Sequence, residues 1–266
     1  MTIRTPLFLI GLCLAPPSLH AQDVDDLVAR CGRGDAAACT EAGKQYQWPG
    51  KPYRDLTQSL TYFQRGCDGG DGAGCLGAGQ LIAVGTGGPP NGARAAVLYG
   101  QGCALNDGAS CVARGALLLA GAAVTQDVGG AAAMFRRGCE LGDGQGCAAI
   151  GSMLVQGNGM PADIRAGAVY LQKGCDAGDS GSCLQLAQLC STVNGVGINW
   201  PRAAAALTRA CDLNNSSGCI GLGRMYQYGP GVPIDVPRAI VLYRQACDMG
   251  NTNGCQLWAA ATVTNR

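Results

Sequence analysis

Residues 67–103 read CDGGDGAGCLGAGQLIAVGTGGPPNGARAAVLYGQGC, and this stretch contains one complete repeat of the chain. It opens at Cys67, reaches a second cysteine at Cys75 and ends at Cys103, where the pattern starts again. The same Cys-x7-Cys spacing occurs seven times with a constant period of 36 residues. A fixed period of about 20–50 residues is typical of stacked repeat proteins, which present surfaces to partners more often than they catalyse reactions.

Each repeat is punctuated as a pair of helices. In the quoted stretch, Asp71 precedes a helical run over 73–84, Gly85 ends that run, and Asn91 precedes a second run over 93–102. Asp and Asn are preferred before helices because their side-chain oxygens accept the free N–H groups of the first turn. The same residue types recur at these positions along the chain, so we assign them to capping and predict an all-α solenoid of about fourteen helices. We call the helix after the second cysteine helix A and the following one helix B.

The cysteine pairs predict local disulfides. The first cysteine of each pair ends a helix B, and the second lies in the first turn of the next helix A, so a tight turn brings them together. The redox-active alternative is less favoured because catalytic dithiols usually have the spacing Cys-x-x-Cys. Sequence alone does not determine connectivity, and the prediction depends on the period. The predicted pairs are Cys31–Cys39, Cys67–Cys75, Cys103–Cys111, Cys139–Cys147, Cys175–Cys183, Cys211–Cys219 and Cys247–Cys255.

Cys190 has no partner in this scheme. It occupies a helix A position that is filled in other repeats by residues such as Ile82, Leu118 and Tyr226. This position favours a buried thiol that behaves as a small apolar side chain. An intermolecular disulfide or a reactive thiol is the alternative.

Residues 1–21 resemble a cleavable signal peptide, with Arg4 before an apolar run and Ala21 before the cleavage site. Residues 22–266 would then form a single solenoid, located in the periplasm or secreted, where disulfides persist. A lipid anchor at Cys13 is the alternative, but Leu12 stands where such anchors normally need a small residue. No other stretch is long and apolar enough to cross a membrane.

The composition excludes several kinds of chemistry. His20 is the single histidine of the chain and lies in the predicted signal peptide, so the mature chain has no His-dependent triad and no His-ligated metal. The cysteine spacing is also unlike that of zinc sites. Charged residues make up 14% of the chain and the net charge is +1, which argues against nucleic-acid binding. We predict no catalytic residues, no metal and no cofactor.

The repeat resembles the SEL-one-like repeat (SLR) family, a relative of the tetratricopeptide repeats. The shared pattern is a helix A with spaced glycines, an Asp, a helix B ending in Gly-Cys, and Gly-Asp-x-x-x-Cys, as in Gly151, Gly157, Gly159, Asp163, Gly174-Cys175 and Gly178-Asp179 to Cys183. The cysteine-rich, 36-residue form is similar to the secreted Hcp type, which is often labelled β-lactamase-like. The resemblance implies a right-handed superhelix with helix A on the concave side, and adaptor functions.

The enzymatic label has little support in the sequence. Serine β-lactamases need Ser-x-x-Lys and Lys-Thr-Gly, and neither motif occurs here. Ser152 is a conceivable weak nucleophile, but no obvious base stands near it in the sequence. Binding of a β-lactam or a cell-wall fragment, with weak hydrolysis, is therefore the alternative function, and a redox-related periplasmic role is a third.

We predict a protein- or peptide-binding face on the A helices, with an adaptor, inhibitor or immunity-type role. If helix A lines a groove, residues five and nine positions after each second cysteine face that groove. A polar row with aromatic side chains suits a protein or peptide. An ordinary solvated helix face is the alternative interpretation. The predicted residues are Lys44, Trp48, Gln80, Ser152, Gln156, Gln188, Arg224 and Tyr228.

Overall fold

The computed structural model describes residues 19–48, 50, 54–193 and 195–264 of the chain, and it contains fourteen α-helices and no strand within these residues. This confirms the predicted all-α repeat architecture. In chain order the helices are α1 (Leu19–Gly32), α2 (Ala36–Gln47), α3 (Leu56–Asp68), α4 (Gly72–Ala83), α5 (Gly92–Ala104), α6 (Gly108–Ala120), α7 (Val128–Glu140), α8 (Gly144–Gln156), α9 (Ile164–Asp176), α10 (Ser180–Cys190), α11 (Trp200–Asp212), α12 (Ser216–Tyr228), α13 (Val236–Asp248) and α14 (Thr252–Thr264).

The odd-numbered helices are the B helices and the even-numbered helices are the A helices. Most of the signal peptide predicted for residues 1–21 lies outside the described residues, and its last three residues belong to the first turn of α1.

The helix starts are capped as the sequence predicts. The Asp107 carboxylate accepts a hydrogen bond from the Ser110 N–H at 2.7 Å, and the Asp163 carboxylate accepts one from the Ala166 N–H at 2.9 Å. An Asp or Asn cap of this kind precedes each helix from α2 to α13, and Asn251 caps α14 in the same way. Each such cap contributes about 1 kcal/mol, which matters for helices of only 11–14 residues.

Seven disulfides connect the end of each B helix to the first turn of the next A helix. Each joins a first cysteine to the cysteine eight residues later, with the two Cα atoms 4.5–4.7 Å apart. The structure therefore confirms the repeat-local pairing. The bonds lie in the interior, since Cys75, Cys111, Cys183 and Cys219 have no exposed surface.

Glycines on the A helices allow the B helices to approach closely. A Cβ atom added to Gly79 would lie 2.4 Å from Cε1 of Tyr99, and one added to Gly115 would lie 2.8 Å from Cε1 of Phe135. Contacts this short leave no room for a methyl group. This position, four residues after the second cysteine, holds glycine in five of the seven repeats, and the close contacts explain why glycine recurs there.

The core is a series of small clusters between the two layers of helices. In the second repeat Phe63 and Leu60 from α3 pack on Leu81 and Ile82 from α4, and similar clusters follow along the chain. Consecutive helices make the main contacts. From α2 to α8 successive A helices also contact each other more extensively than successive B helices do. Closer contact within one layer is typical of the inner side of a curved repeat array.

Candidate functional site

The eight predicted residues all lie on A helices or at their C-terminal ends. Trp48 is the C-cap of α2, and Gln156 and Tyr228 are the last residues of α8 and α12. Seven of the eight side chains are exposed and Ser152 is half-buried. Exposure alone does not separate a binding face from a solvated face, so the contacts between these residues carry more weight.

One contact links neighbouring repeats across this face. The Ser152 hydroxyl of α8 donates a hydrogen bond to the Oε1 atom of Gln185 in α10, with the two oxygens 2.7 Å apart. Gln185 stands two positions after its second cysteine, so residues at positions two and five of successive A helices lie side by side. The A helices therefore present one continuous surface here, which we call the A face.

The A face differs between its ends and its middle. Lys44 and Trp48 stand near the first end, and Arg224 and Tyr228 stand near the last. Between them the corresponding positions of α6 hold alanine, Ala116 and Ala120, which are exposed. The middle of the face is thus smooth and uncharged at these positions, while both ends combine a cation with an aromatic ring.

A cavity of about 680 Å³ lies at the first end of the A face. Its surface is mainly apolar, and it opens beside Trp48, whose surface is 59% exposed, and Val84, whose surface is 72% exposed. The cavity is lined by Lys44, Gln47, Trp48, Arg54, Leu56, Leu81 and Val84. We call it the α2–α4 cavity.

The spacing rule named Lys44 and Trp48 but not the other five lining residues, Gln47, Arg54, Leu56, Leu81 and Val84. Val84 stands nine positions after Cys75, the same register as Trp48, so the spacing rule contained the signal for it. Arg54 lies in the loop between α2 and α3, where a rule based on helix spacing does not apply.

The cations of the cavity have different partners. The Lys44 ammonium lies 3.2 Å from a carboxylate oxygen of Glu41 on the same helix, and both side chains are about half exposed. Arg54 is exposed and forms no ion pair or hydrogen bond with the described part of the chain. An exposed ion pair contributes at most about 1 kcal/mol, so Lys44 can exchange its partner easily.

Ser152 shows no arrangement for nucleophilic catalysis. Its hydroxyl donates to the neutral amide oxygen of Gln185, which has too low a basicity to remove the proton. The carboxylates that precede the helices are engaged with backbone N–H groups. Among the described residues, no group of three or more His, Cys, Asp or Glu side chains is placed to hold a metal ion. None of the described helices has the length and apolar character needed to cross a membrane.

Cys190 is a free thiol in the core. It has no exposed surface and packs in a cluster with Leu186, Ala187 and Ala203. Burial raises the pKa of the Cys190 thiol, and the positive charge of Arg202 opposes this shift only in part. The structure agrees with the interpretation of Cys190 as an apolar core side chain, because a protonated, inaccessible thiol is a poor nucleophile.

We expect Cys190 to react with a thiol reagent only after unfolding. The oxidised mature chain should react with dithionitrobenzoate at least ~100-fold more slowly in buffer at pH 8 than in guanidinium, where one thiol per chain should be released. Absorbance at 412 nm measures both rates, and Cys190→Ala is the blank. Rapid reaction of the folded chain, or no thiol after unfolding, would contradict the buried free thiol.

Comparisons with known proteins identify the repeat. The family model for the Sel1 repeat matches residues 36–71, 73–107, 109–143, 144–179 and 216–251. The unmatched interval between the last two segments contains Cys190 and the α10–α11 pair. A search of curated protein sequences finds no significant match.

Solved structures share the architecture. A protective antigen present in uropathogenic Escherichia coli strains, which displays an SLR fold, has a TM-score of 0.75 and 25% identity over 87% of this chain. This chain spans 50% of the length of that antigen. A Sel1 repeat protein from Oxalobacter formigenes has a TM-score of 0.65 and 22% identity, covering 80% of this chain and 85% of its own. An immunity protein from Pseudomonas aeruginosa has a TM-score of 0.53 and 14% identity, covering 82% of each chain. At these identities the last two show a common fold alone.

Proposed function

Because the chain belongs to the Sel1 repeat family, whose repeats mediate protein–protein interactions, we propose that it binds a protein partner along its A face outside the cytoplasm. The proposed role is that of an adaptor, inhibitor or immunity-type protein. The observation that carries the proposal is the A face itself: exposed polar and aromatic side chains on consecutive A helices, joined across repeats by the Ser152–Gln185 contact.

Rigidity of the scaffold supports a binding role. Each repeat is closed by a disulfide next to the helix start that positions the A face, for example Cys147 in the first turn of α8. Binding costs less free energy when the surface is already ordered, because fewer side chains and loops lose freedom on association. A short-repeat scaffold with a disulfide in every repeat is suited to this purpose.

The disulfides also support the proposed location. Seven disulfides are typical of proteins in an oxidising compartment such as the periplasm or the extracellular space. The signal peptide predicted for residues 1–21 would deliver the mature chain there. The solenoid of residues 22–266 would then act as a single binding unit.

An immunity-type role is one form of this proposal. Two immunity proteins of Pseudomonas aeruginosa share the fold, with TM-scores of 0.51 and 0.53 at 14% identity, and this identity supports no transfer of their partners. A β-lactam or cell-wall fragment is the less favoured ligand, because the hydrogen bond of Ser152 to a neutral amide provides no general base.

The proposal is tested by a cross-linked pull-down from the envelope fraction of the source organism with the oxidised mature chain as bait. We expect one dominant protein with wild-type bait. A variant of the A face should lose at least tenfold in affinity for it, since a few residues near the centre of contact carry most binding energy. The face variant combines Lys44→Ala, Gln80→Ala, Gln188→Ala and Arg224→Ala.

A matched control removes the same number of side chains and the same number of cations from the B helices. These residues are exposed on α7, α9 and α13, and we expect affinity within twofold of wild type. Equal binding by the face variant, or no enriched protein at all, would overturn the proposal. The control variant combines Arg136→Ala, Arg165→Ala, Val169→Ala and Val241→Ala.

A further inference from the structure

We infer that the α2–α4 cavity is the anchor point of the A face, and that it takes an apolar side chain of the partner that stands next to a carboxylate. The inference rests on the proposed function, because it names the chemistry of the partner segment that this face would bind. It is carried by three observations: the apolar floor of the cavity, the cations at its edge and its place in the repeat series.

The floor of the cavity is apolar and partly pre-formed. Leu81 is buried, with 3% of its surface exposed, and belongs to the core cluster of the second repeat, so the floor is held in place by the fold. Trp48 and Val84 extend the apolar surface outward and remain largely exposed. A leucine, phenylalanine or methionine side chain inserted here would remove apolar surface of Trp48 and Val84 from water, at about 25 cal/mol for each Å² buried.

The edge of the cavity carries an excess of positive charge. Lys44 and Arg54 both line it, and Glu41 of α2 neutralises one of them at most, through its 3.2 Å contact with Lys44. Arg54 therefore has a guanidinium without a carboxylate partner among the described residues. Guanidinium–carboxylate pairs beside an apolar surface are stronger than those in open water, because the local dielectric constant is lower.

The middle repeats of the chain do not combine a cation, an aromatic ring and an apolar floor as the α2–α4 cavity does. The register that places Trp48 and Val84 here holds Ala120 in α6 and Gln156 in α8. The register of Lys44 holds Ala116 and Ser152 in the same two helices. The combination of a cation, an aromatic ring and an apolar floor is therefore absent from the middle of the A face, so the middle can accommodate a main chain without selecting its side chains.

The chemistry of the lining favours a protein segment over a sugar. Sugar sites need several polar groups for the hydroxyls, whereas Gln47 is the one neutral polar side chain among the described residues that line this cavity. A volume of about 680 Å³ is within the range of pockets for small ligands, and it can admit one large side chain with part of its main chain. A partner segment with an apolar residue next to Asp, Glu or its C-terminal carboxylate can bury the apolar side chain on the floor and pair the carboxylate with the cations at the edge.

The test uses phage-displayed random 12-residue peptides selected on the oxidised mature chain. We expect the enriched peptides to place Asp, Glu or their C-terminus next to Leu, Phe, Met, Ile or Trp. The best peptide is then synthesised with a fluorescent label, and its affinity is measured by anisotropy. Trp48→Ala and Arg54→Gln should each lower the affinity at least tenfold, and Arg54→Lys should retain most of it. The control variants Arg165→Gln and Val169→Ala on α9 should bind within twofold of wild type.

A charge exchange makes the test specific. Arg54→Glu should bind the original peptide poorly, and a peptide in which the acidic residue is replaced by lysine should recover at least fivefold on this variant. Circular dichroism checks that each variant is folded. We expect every variant to fold, because the side chains of Trp48 and Arg54 are exposed.

Several results would overturn the inference while leaving the proposed function intact. One is a pull-down partner that is lost by the four-residue face variant but binds Trp48→Ala and Arg54→Gln as tightly as wild type. Enrichment of no peptide, or of peptides without acidic groups, would also overturn it. So would binding of a disaccharide–tetrapeptide muropeptide that depends on Trp48 while the selected peptides do not. A pull-down partner that still binds both the four-residue face variant and the Trp48 and Arg54 variants would instead contradict the proposed function.

Discussion

Refolding the mature chain in the presence of tris(carboxyethyl)phosphine is expected to leave it without cooperative structure. Each disulfide closes a loop with a sequence separation of eight residues, and chain entropy assigns about 2–3 kcal/mol to a loop of that size. Seven such loops together contribute about 14–21 kcal/mol, which is comparable to or larger than the ~5–15 kcal/mol by which a typical domain is stable. The apolar clusters between the layers are small, so they do not compensate for this loss.

Far-UV circular dichroism and a urea titration measure the effect. The chain refolded without reductant should regain full helical ellipticity and a single unfolding transition, whereas the reduced chain should lose more than half of the ellipticity and show no transition. A single pair replaced in the middle of the array, Cys103→Ala with Cys111→Ala, should reduce the free energy of unfolding by about 2–3 kcal/mol. A reduced chain that unfolds cooperatively in urea would contradict the view that the disulfides replace a larger core.

Gly223→Ala is expected to destabilise the chain by about 1–3 kcal/mol, although alanine is ordinarily the better helix former. A Cβ atom at Gly223 would lie 2.6 Å from Cε1 of Tyr243. Tyr243 has no exposed surface, and its hydroxyl donates to the side-chain oxygen of Gln227 at 2.7 Å. Burial raises the pKa of Tyr243 to about 12, still further above neutral pH than that of an ordinary tyrosine, and the phenol is a hydrogen-bond donor throughout this range. Because the ring is fully buried and its hydroxyl is hydrogen-bonded to Gln227, it cannot move away from an added methyl group without losing packing or this hydrogen bond.

The repeats of the chain provide a compensating change. One repeat upstream, 36 residues earlier, the corresponding pair is Ala187 with Leu207, which belong to one apolar cluster and combine a methyl group with a smaller side chain. Adding Tyr243→Leu to Gly223→Ala should therefore recover at least half of the lost stability. Gly129→Ala is the control, because a Cβ there would meet nothing closer than its own cap, Asp127, at 3.6 Å. Thermal and urea unfolding measure the stability of Gly223→Ala, of the double variant and of Gly129→Ala. Equal changes in the free energy of unfolding for Gly223→Ala and Gly129→Ala would contradict the steric argument.

The sequence predicted the fold well because the signals that specify it are local and repeated. A cap such as Asp107 acts on the next three residues, and a cysteine such as Cys111 pairs with one only eight positions away. Seven copies of the same spacing made each local signal recognisable. The thiol of Cys190 was also placed in the core correctly, since its position in the register is apolar in other repeats.

The surface was predicted less completely. The predicted residues at positions five and nine do lie on the A helices or at their C-terminal ends, and the spacing indicated Lys44 and Trp48 of the cavity lining. It did not indicate Arg54, which reaches the cavity from a loop, or the hydrogen bond between Ser152 and Gln185 of the next repeat. Whether these exposed residues bind a partner depends on free energies that no pattern of spacing contains.

By itself, then, the sequence determined the period, the two helices of each repeat, their caps and the cysteine pairs, because all of these depend on interactions within about ten residues. The tertiary structure decided which side chains meet across repeats: the close approach of Tyr243 to Gly223, the layer of A helices in mutual contact, and the cavity shared by α2, α3 and α4. These features depend on the angle and distance at which one helix pair stacks on the next. That geometry arises from packing between residues far apart in the sequence, and the helix period does not encode it.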